Sequence, residues 1–486
     1  MQRLLLLRPD SGIYCALPPL GLLSLAAYIR HYSDHQIGIF DGVEKSAEDS
    51  QVIQAIESFQ PDVIGIGSLS CEQIEAHHTA NLIKELFPEI KIVLGGPYAS
   101  SEPSEAIDDP AVDYVIVGEG EIALTKLLKA LDQEGNVSEI KGLVYKTGEG
   151  VNLPNQLEVV DDLDEIPMPA WDLIDLERYF YNRRQCSMNL HVTSRRCVPI
   201  ASTRGCVYKC TYCHNIFGKK VRARSVDKII EEIEYLKTEN GVEEVEFVDD
   251  IFNYDRRRTS NIAKRISAGN YGLKFCFSNG LKADLITPDL VDQLIEMGTF
   301  RICYVIDTGS PVIQKKINRV HDLKKTCEII NYTSSRGISV GLSVIVGFPG
   351  ETAEQARITL DYAFKLKLST VSFLILNPYP STEIYEQAVK DGKITKRMVY
   401  SHLYSLSVNL SAMSDKKLQR MVKLAYLRYY LHPIRLWRFI STTPIHHFFF
   451  SKLYTLCLVT FFKHAAEVIG DKYQYADGKK KRSRFS

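Results

Sequence analysis

At 486 residues the chain has room for two or three domains, and 45% hydrophobic with 24% charged residues excludes a disordered or fibrous protein. Lys+Arg and Asp+Glu both number 59, so no global basic field points to a nucleic-acid partner. The eleven cysteines are an odd number, and eight of them (Cys15, Cys71, Cys186, Cys197, Cys276, Cys303, Cys327 and Cys457) stand singly, which argues against a disulfide scaffold and for a reducing cytosol. The apolar run Leu4 to Leu7 is too short for a signal peptide and is cut by Arg8-Pro9; it reads as a first buried strand.

Strand and helix alternate over a first domain, residues 1–139. Apolar runs at 3–7, 37–40, 62–67, 90–94 and 113–117 are short and bounded by Gly, Pro or Asp, as buried parallel strands are. Helical patterns lie between them at about 20–32, 47–59, 72–86 and 120–132. Five such units predict a doubly wound parallel sheet with ligands at the carboxyl ends of its strands. Those ends read Gly65-Ile-Gly67-Ser68-Leu-Ser70, Gly95-Gly96-Pro97-Tyr98-Ala99 and Gly118-Glu119-Gly120-Glu121. Glycine there lets backbone approach a flat or phosphate-bearing ligand. Each alone is also an ordinary turn.

Residues 140–195 read as a connector. An acidic stretch, Asp161 to Glu165, precedes Ile166-Pro-Met-Pro-Ala170-Trp171, whose prolines oppose a helix. No catalytic role is assigned to it.

A third region, 196–385, begins with Thr203-Arg204-Gly205 and then Cys206-Val-Tyr-Lys-Cys210-Thr-Tyr-Cys213. Three thiolates can hold three irons of a [4Fe–4S] cube and leave the fourth open, whereas a cluster that only passes electrons has four protein ligands. The alternatives are a zinc site or a disulfide framework. Zinc usually takes four ligands as two close pairs, and no second pair follows. Arg204 reads either as a cation bearing on the cluster or as a solvated one. His214 is not assigned as a ligand.

Alternation then resumes, with strands at 198–202, 243–248, 274–278, 300–306, 339–346 and 370–376 and helices at 226–237, 257–267, 288–297, 322–335 and 353–366. Six units are fewer than the eight of a closed barrel, so an open partial barrel is expected. Its strand ends offer Asp249 and Asp250, then Ser278 and Asn279, Asp307, Ile345 and Gly347, and finally Asn377-Pro378-Tyr379. Carboxylates and amides there suit ribose hydroxyls and an amino group. Asp249 or Asp250 reads alternatively as a helix N-cap, and Glu351-Thr352 as a helix start.

Residues 386–486 are expected to be a helical extension, with a helix at 414–430. The aromatic segment His446 to Phe462, interrupted by Lys452, falls short of a membrane span. With Arg435, Arg438, Lys463 and the tail Lys479 to Arg482 around it, 432–468 suits peripheral contact with an anionic membrane or packing over the barrel mouth.

The CxxxCxxC spacing with an aromatic before the third cysteine resembles the radical S-adenosylmethionine (SAM) superfamily. Pro18-Pro19-Leu20-Gly21 and the three glycine turns resemble the Rossmann-like cobalamin-binding domain that precedes many such barrels. The resemblance covers nearly everything up to about residue 385. It implies three cofactors: a [4Fe–4S] cluster on Cys206, Cys210 and Cys213, SAM, and cobalamin. SAM would be met by Tyr212, Asp249, Asp250, Ser278, Asn279, Asp307, Ile345 and Gly347. Cobalamin would be met by Pro19, Gly21, Ser68, Ser70, Gly95, Gly96, Pro97, Gly118, Glu119 and Gly120. Two departures stand out. Tyr98 replaces the usual His of Gly-Gly-Pro-His. The Asp-x-His-x-x-Gly cobalt-ligating motif is absent, with Asp41-Gly-Val-Glu44 in its place and His77-His78 elsewhere, so no lower axial ligand is identified.

The family's chemistry cleaves SAM to a 5′-deoxyadenosyl radical and in most relatives passes a methyl group from cobalamin to an unactivated carbon. The expectation is therefore a cytoplasmic, membrane-touching or free, methyltransferase with a small-molecule or lipid-like substrate and a reducing partner such as flavodoxin or ferredoxin. The alternatives are a cyclase or oxidoreductase acting on a tetrapyrrole or lipid without methyl transfer, and a non-catalytic cobalamin and cluster sensor.

Overall fold

The computed structural model describes residues 1–10, 17–45, 47–133, 135–154, 156–181, 193–213, 216–395 and 407–442. His214, connector residues 182–192, Cys15, Cys186, Cys457 and everything from 443 onward, including the whole aromatic segment and the basic tail, lie outside them.

Five apolar runs of the first domain form parallel strands: β1 (Arg3–Arg8), β2 (Gln36–Asp41), β3 (Val63–Gly67), β4 (Lys91–Gly95) and β5 (Tyr114–Ile116). Their order, 2-1-3-4-5, reverses between β1 and β3, which places a ligand crevice at that point. Leu5 and Leu7 bury on one face and Leu4 and Leu6 on the other, each under its own helices. That two-sided burial is why these strands read as unbroken apolar runs. The sheet does not stop at residue 139. An antiparallel pair, β6 (Leu143–Thr147) and β7 (Gly150–Asn152), adds to its β5 edge. Its outer residues, Lys146 to Val151, are exposed, so the sequence pattern there carries little strand signal.

The proline-punctuated connector is a rivet between domains. Ala170 donates its N–H to Leu23 O of the first domain, while buried Trp171 donates its indole N–H to Glu232 of the second.

The second region supplies β8 (Cys197–Ile200), a short pair β9 (Thr203–Arg204) and β10 (Arg222–Ala223), then β11 (Glu244–Phe247), β12 (Lys274–Leu281), β13 (Thr299–Asp307), β14 (Ser339–Val346) and β15 (Thr370–Ile375). Six of these form a parallel sheet in the order 8-11-12-13-14-15, and among the described residues no pairing joins β15 back to β8. The barrel is open, as six units dictate. Every second side chain, such as Val245, Phe275, Ile302 and Leu342, packs under the outer helices. The helix Asp415–Tyr430 crosses the free edge of β15. There the Tyr426 hydroxyl accepts from Phe373 N–H, and the Tyr430 hydroxyl accepts from Val371 N–H and donates to its carbonyl. An exposed edge is thereby closed. Among the described residues no helix is long and apolar enough to cross a membrane.

Candidate functional site

The cysteine loop, 205–221, is pinched at its neck by the β9–β10 pair. Gly205 makes the turn out of β9 at φ +87°; a Cβ there would lie 2.3 Å from Lys220 O, so only glycine fits. Further along, Thr211 donates its N–H to Ile317 O and accepts from Ile384 N–H, which ties the loop to the rim of the barrel. Cys210 is buried, Cys206 half-buried and Cys213 exposed. The three sulfurs act on one another electrostatically, and burial pushes the Cys210 thiol up. Thiols raised in this way ionise when a metal takes the place of the proton. Among the described residues no three His, Cys, Asp or Glu groups close on a single ion. Three thiols on one loop are the donor set that three irons of a cube take, whereas a single zinc ion usually takes four ligands.

Sequence reading missed the cations around this loop. Arg319 lies 4.8 Å and the Lys282 ammonium 5.4 Å from the ring centre of Tyr208, and Arg319 acts on both Cys206 and Cys210. Positive charge there stabilises thiolates and an anionic cluster. Arg319 is held by Asp307, whose carboxylate accepts from its Nε at 3.1 Å. Asp307 also engages Tyr212 and His321, and these partners hold its carboxyl below the usual range although burial opposes it. Asp307 therefore organises the loop and its cation; a free carboxylate reaching for SAM is not what the structure shows. Tyr212 likewise packs edge-on to Phe348, with its hydroxyl turned to Asp307.

Asp249 and Asp250 are not helix caps: Asp255 caps the helix Arg256–Gly269. Instead Asp249 Oδ1 accepts from Ser202 N–H and Oγ and from Thr203 Oγ1, and Asp250 accepts from Gly205 N–H. Both brace the neck of the cysteine loop, and Asp249 Oδ2 remains without a partner. Ser278 and Asn279 lie where β12 loses register with β13; Asn279 donates to Val248 O, and the Ser278 hydroxyl turns to Glu246. After β14, Gly347 turns at φ +94° and donates its N–H to buried Glu351, which burial pushes up to about 7. Thr352, not Glu351, caps the following helix. Ile345 faces the barrel interior and is half-buried.

In the first domain, Gly96 takes φ +86°, and a Cβ on it would strike Ser68 O at 2.9 Å, so the third and fourth turns are locked together. Ser68 is buried, and its hydroxyl has no partner. A Cβ on Gly21 or Gly95 would meet nothing within 4 Å, so Gly21, beside Pro19 at the start of its helix, and Gly95 face open space. Ser70 opens the next helical turn and Pro97 the one after β4. An orphaned hydroxyl among open glycines fits a large flat ligand. Neither His77 nor His78 turns toward it. Tyr98 and His77 are turned into the domain, bonded to each other at 2.8 Å with Asp109 behind, and His78 pairs with Asp49 on the surface. Asp41 is buried with Arg8 and Tyr179 as a structural anchor.

Glu119 also departs from expectation. Its carboxylate is buried and paired with Arg222 and Arg204, and Glu121 pairs with Arg204 and Ser24. Arg204 is thus neither solvated nor spent on the cluster; it clamps the neck of the cysteine loop to the fifth turn of the first domain. Gly118, braced by Ser100, then comes to line the same cavity as Cys213, about 230 Å³ with Leu157, Lys219 and Ser381 around it. Gly120 is crowded by Leu25 and serves packing.

The sequence signature of the Radical SAM superfamily matches residues 200–363, and that of the B12 binding domain matches residues 13–128. An uncharacterized methyltransferase of Pyrococcus horikoshii is 28% identical over 86% of this chain and 88% of its own. Cytidylyl-2-hydroxyethylphosphonate methyltransferase of Streptomyces wedmorensis is 26% identical over 80% of this chain and 82% of its own. The radical SAM methyltransferase TsrM of Kitasatospora setae shares the fold with a TM-score of 0.69 at 18% identity, covering 82% of this chain and 78% of that one. The chain carries a radical SAM domain and, ahead of it, a B12-binding domain.

Proposed function

We propose that the protein is a cobalamin-dependent radical SAM methyltransferase acting at an unactivated carbon of a small molecule. The observation that carries this reading is the single cavity shared by Gly118 of the B12-binding domain and Cys213 of the cysteine loop. Both relatives quoted above over most of their length are named as methyltransferases. Bound there, the cluster and SAM would supply one-electron cleavage and cobalamin the methyl group.

The chain's own residues supply position and charge. Cys206, Cys210 and Cys213 grip the cluster, and Arg319 and Lys282 offset its negative charge. Ser278, Asn279, Ile345 and Gly347 form the rim that SAM would meet, with Asp249 Oδ2 as an acceptor beside it. Ser68, Gly21, Gly95 and Gly96 shape the crevice for cobalamin. The Arg204–Glu119–Arg222 clamp fixes one set against the other, and the walls keep water from the reacting atoms. Electrons would come from a flavodoxin- or ferredoxin-type donor. The eight cysteines among the described residues stand outside any disulfide, which suits a reducing cytoplasm.

Anaerobic incubation with SAM, dithionite and candidate substrates, following 5′-deoxyadenosine and S-adenosylhomocysteine, tests the reading. Both products mean methyl transfer. Deoxyadenosine alone means a cyclase or oxidoreductase, and neither product means a sensor; either result overturns the assignment.

A further inference from the structure

The helix Asp415–Tyr430 runs antiparallel to β15, from the barrel mouth to the opposite end. Near its start Leu418 packs on Gly347, where a Cβ would sit 3.3 Å from it; near its end the Tyr429 hydroxyl donates to Leu368 O, ahead of β15. A second helix, Pro433–Thr442, follows at that far end. It is held from one side: Arg435 donates to Phe364 O at 2.7 Å, and buried Phe439 meets the ring of Tyr430 edge-on. The two helices therefore lead away from the mouth.

Their outward sides carry residues that water disfavours. On the first helix Leu418, Val422, Ala425, Tyr426 and Tyr429 turn to the barrel. The opposite side presents Arg420, Leu424 and, just past its end, Leu431, with Lys416, Lys417 and Lys423 beside them. The second helix presents Ile434 and Trp437 opposite Phe439. Leu424 is 51% exposed, Leu431 60%, Ile434 63% and Trp437 70%. A single exposed leucine is ordinary, but large apolar side chains on successive outward positions mark a surface that something covers.

Charge sorts the candidates. From Lys416 through Ala466 the chain contains no aspartate or glutamate, whereas Lys or Arg stands at 416, 417, 420, 423, 428, 435, 438, 452 and 463. The whole chain has a formal net charge of zero, so this stretch is a local cationic excess. A second copy of the same face would bring like charges together. The segment 443–466 brings no acid to these cations. An anionic bilayer answers both needs: its headgroups take the cations, and the boundary between headgroups and acyl chains takes leucine, isoleucine and tryptophan.

We propose that the face from Lys416 to Trp437 seats the protein on the surface of a membrane containing anionic lipid. The bilayer meets the β15 side and far end of the barrel, and the mouth stays open to water. Such seating is independent of the reaction proposed above.

The test is co-sedimentation of the full-length, cofactor-loaded protein with vesicles of phosphatidylcholine alone or mixed with phosphatidylglycerol. The mixed vesicles should bind about tenfold more tightly. L431Q/I434Q/W437Q, at exposed positions where folding tolerates substitution, should weaken binding to the mixed vesicles about tenfold. K416Q/K417Q/R420Q/K423Q should remove the preference for them. Hydroxyl-radical footprinting reads the face directly, because Trp437 is exposed and the other tryptophan, Trp171, is buried. Trp437 should be modified in the free protein and protected by the mixed vesicles, with Trp171 silent throughout. Protection of Trp437 without vesicles overturns the proposal; it assigns the face to the segment 443–486 or, where it accompanies a dimer lost in L431Q/I434Q/W437Q, to a second copy. Equal binding to both vesicles, or binding untouched by L431Q/I434Q/W437Q, also overturns it. So does an absence of binding with Trp437 open, which leaves the face to an acidic protein.

Discussion

The two parallel sheets of this chain are covered differently. The first carries helices on both faces, so Leu4 to Leu7 bury alternately into two apolar layers, and polar chemistry is confined to the turns at the strand ends. The second carries helices on one face only. Its other face turns Glu246, Arg301 and Ser343 inward, and its ends hold the cysteine loop under Arg319. A sheet buried on both faces can only cradle a ligand at its rim. An open barrel can also enclose one, and the Arg204–Glu119–Arg222 clamp sets the rim of one against the mouth of the other.

The sharpest way to separate the two is to remove the cysteines. C206A, C210A or C213A should abolish the brown iron–sulfur absorbance and SAM cleavage, while cobalamin retention by the first domain persists. Survival of the absorbance in all three would end the metal assignment. Breaking the clamp comes next. E119A leaves buried Arg222 without its carboxylate, and should cost about 3–5 kcal/mol in denaturant unfolding, since one partner of a buried pair is stranded. An unchanged midpoint would show that the two domains are fixed by other contacts.

A smaller effect belongs to the second sheet. Burial pushes Glu351 up to about 7, above its unfolded value, so the folded chain holds an extra proton between about pH 4.5 and 7. This contribution is fully present at low pH and is lost as pH rises through 7. E351Q should flatten the fall in stability across that window by about 3 kcal/mol, read from urea midpoints at several pH values. Identical pH profiles would contradict it. The smallest effect is on the first sheet: G96A, forced to positive φ and against Ser68 O, should cost about 1–2 kcal/mol and loosen cobalamin retention. A gain in stability would show that the turn is not constrained.

Much of the architecture was legible beforehand because it is written in local periodicity. The helix expected at 20–32 is the helix Leu20–Tyr32, and the strand expected at 339–346 is β14. The β6–β7 hairpin was not legible, because its strands are short and only Leu143 and Val144 are buried, too few to show an apolar period. The three cysteines were legible because their spacing carries the chemistry. Arg319 and Lys282 were not: they stand 106 and 69 residues beyond Cys213 by their numbers, and no spacing rule links them to it.

Sequence by itself determined which residues make strands and helices, where the thiols lie and which turns are glycine-rich, since each is a matter of neighbours along the chain. Only the tertiary structure decided that Glu119 pairs with arginines, that Asp307 and Tyr212 hold the cysteine loop, that Tyr98 turns inward, and that Glu246 lies buried beside Ser278. Those roles depend on which distant groups meet in a desolvated space. Desolvation and pairing belong to the assembled packing and leave no trace in the order of residues.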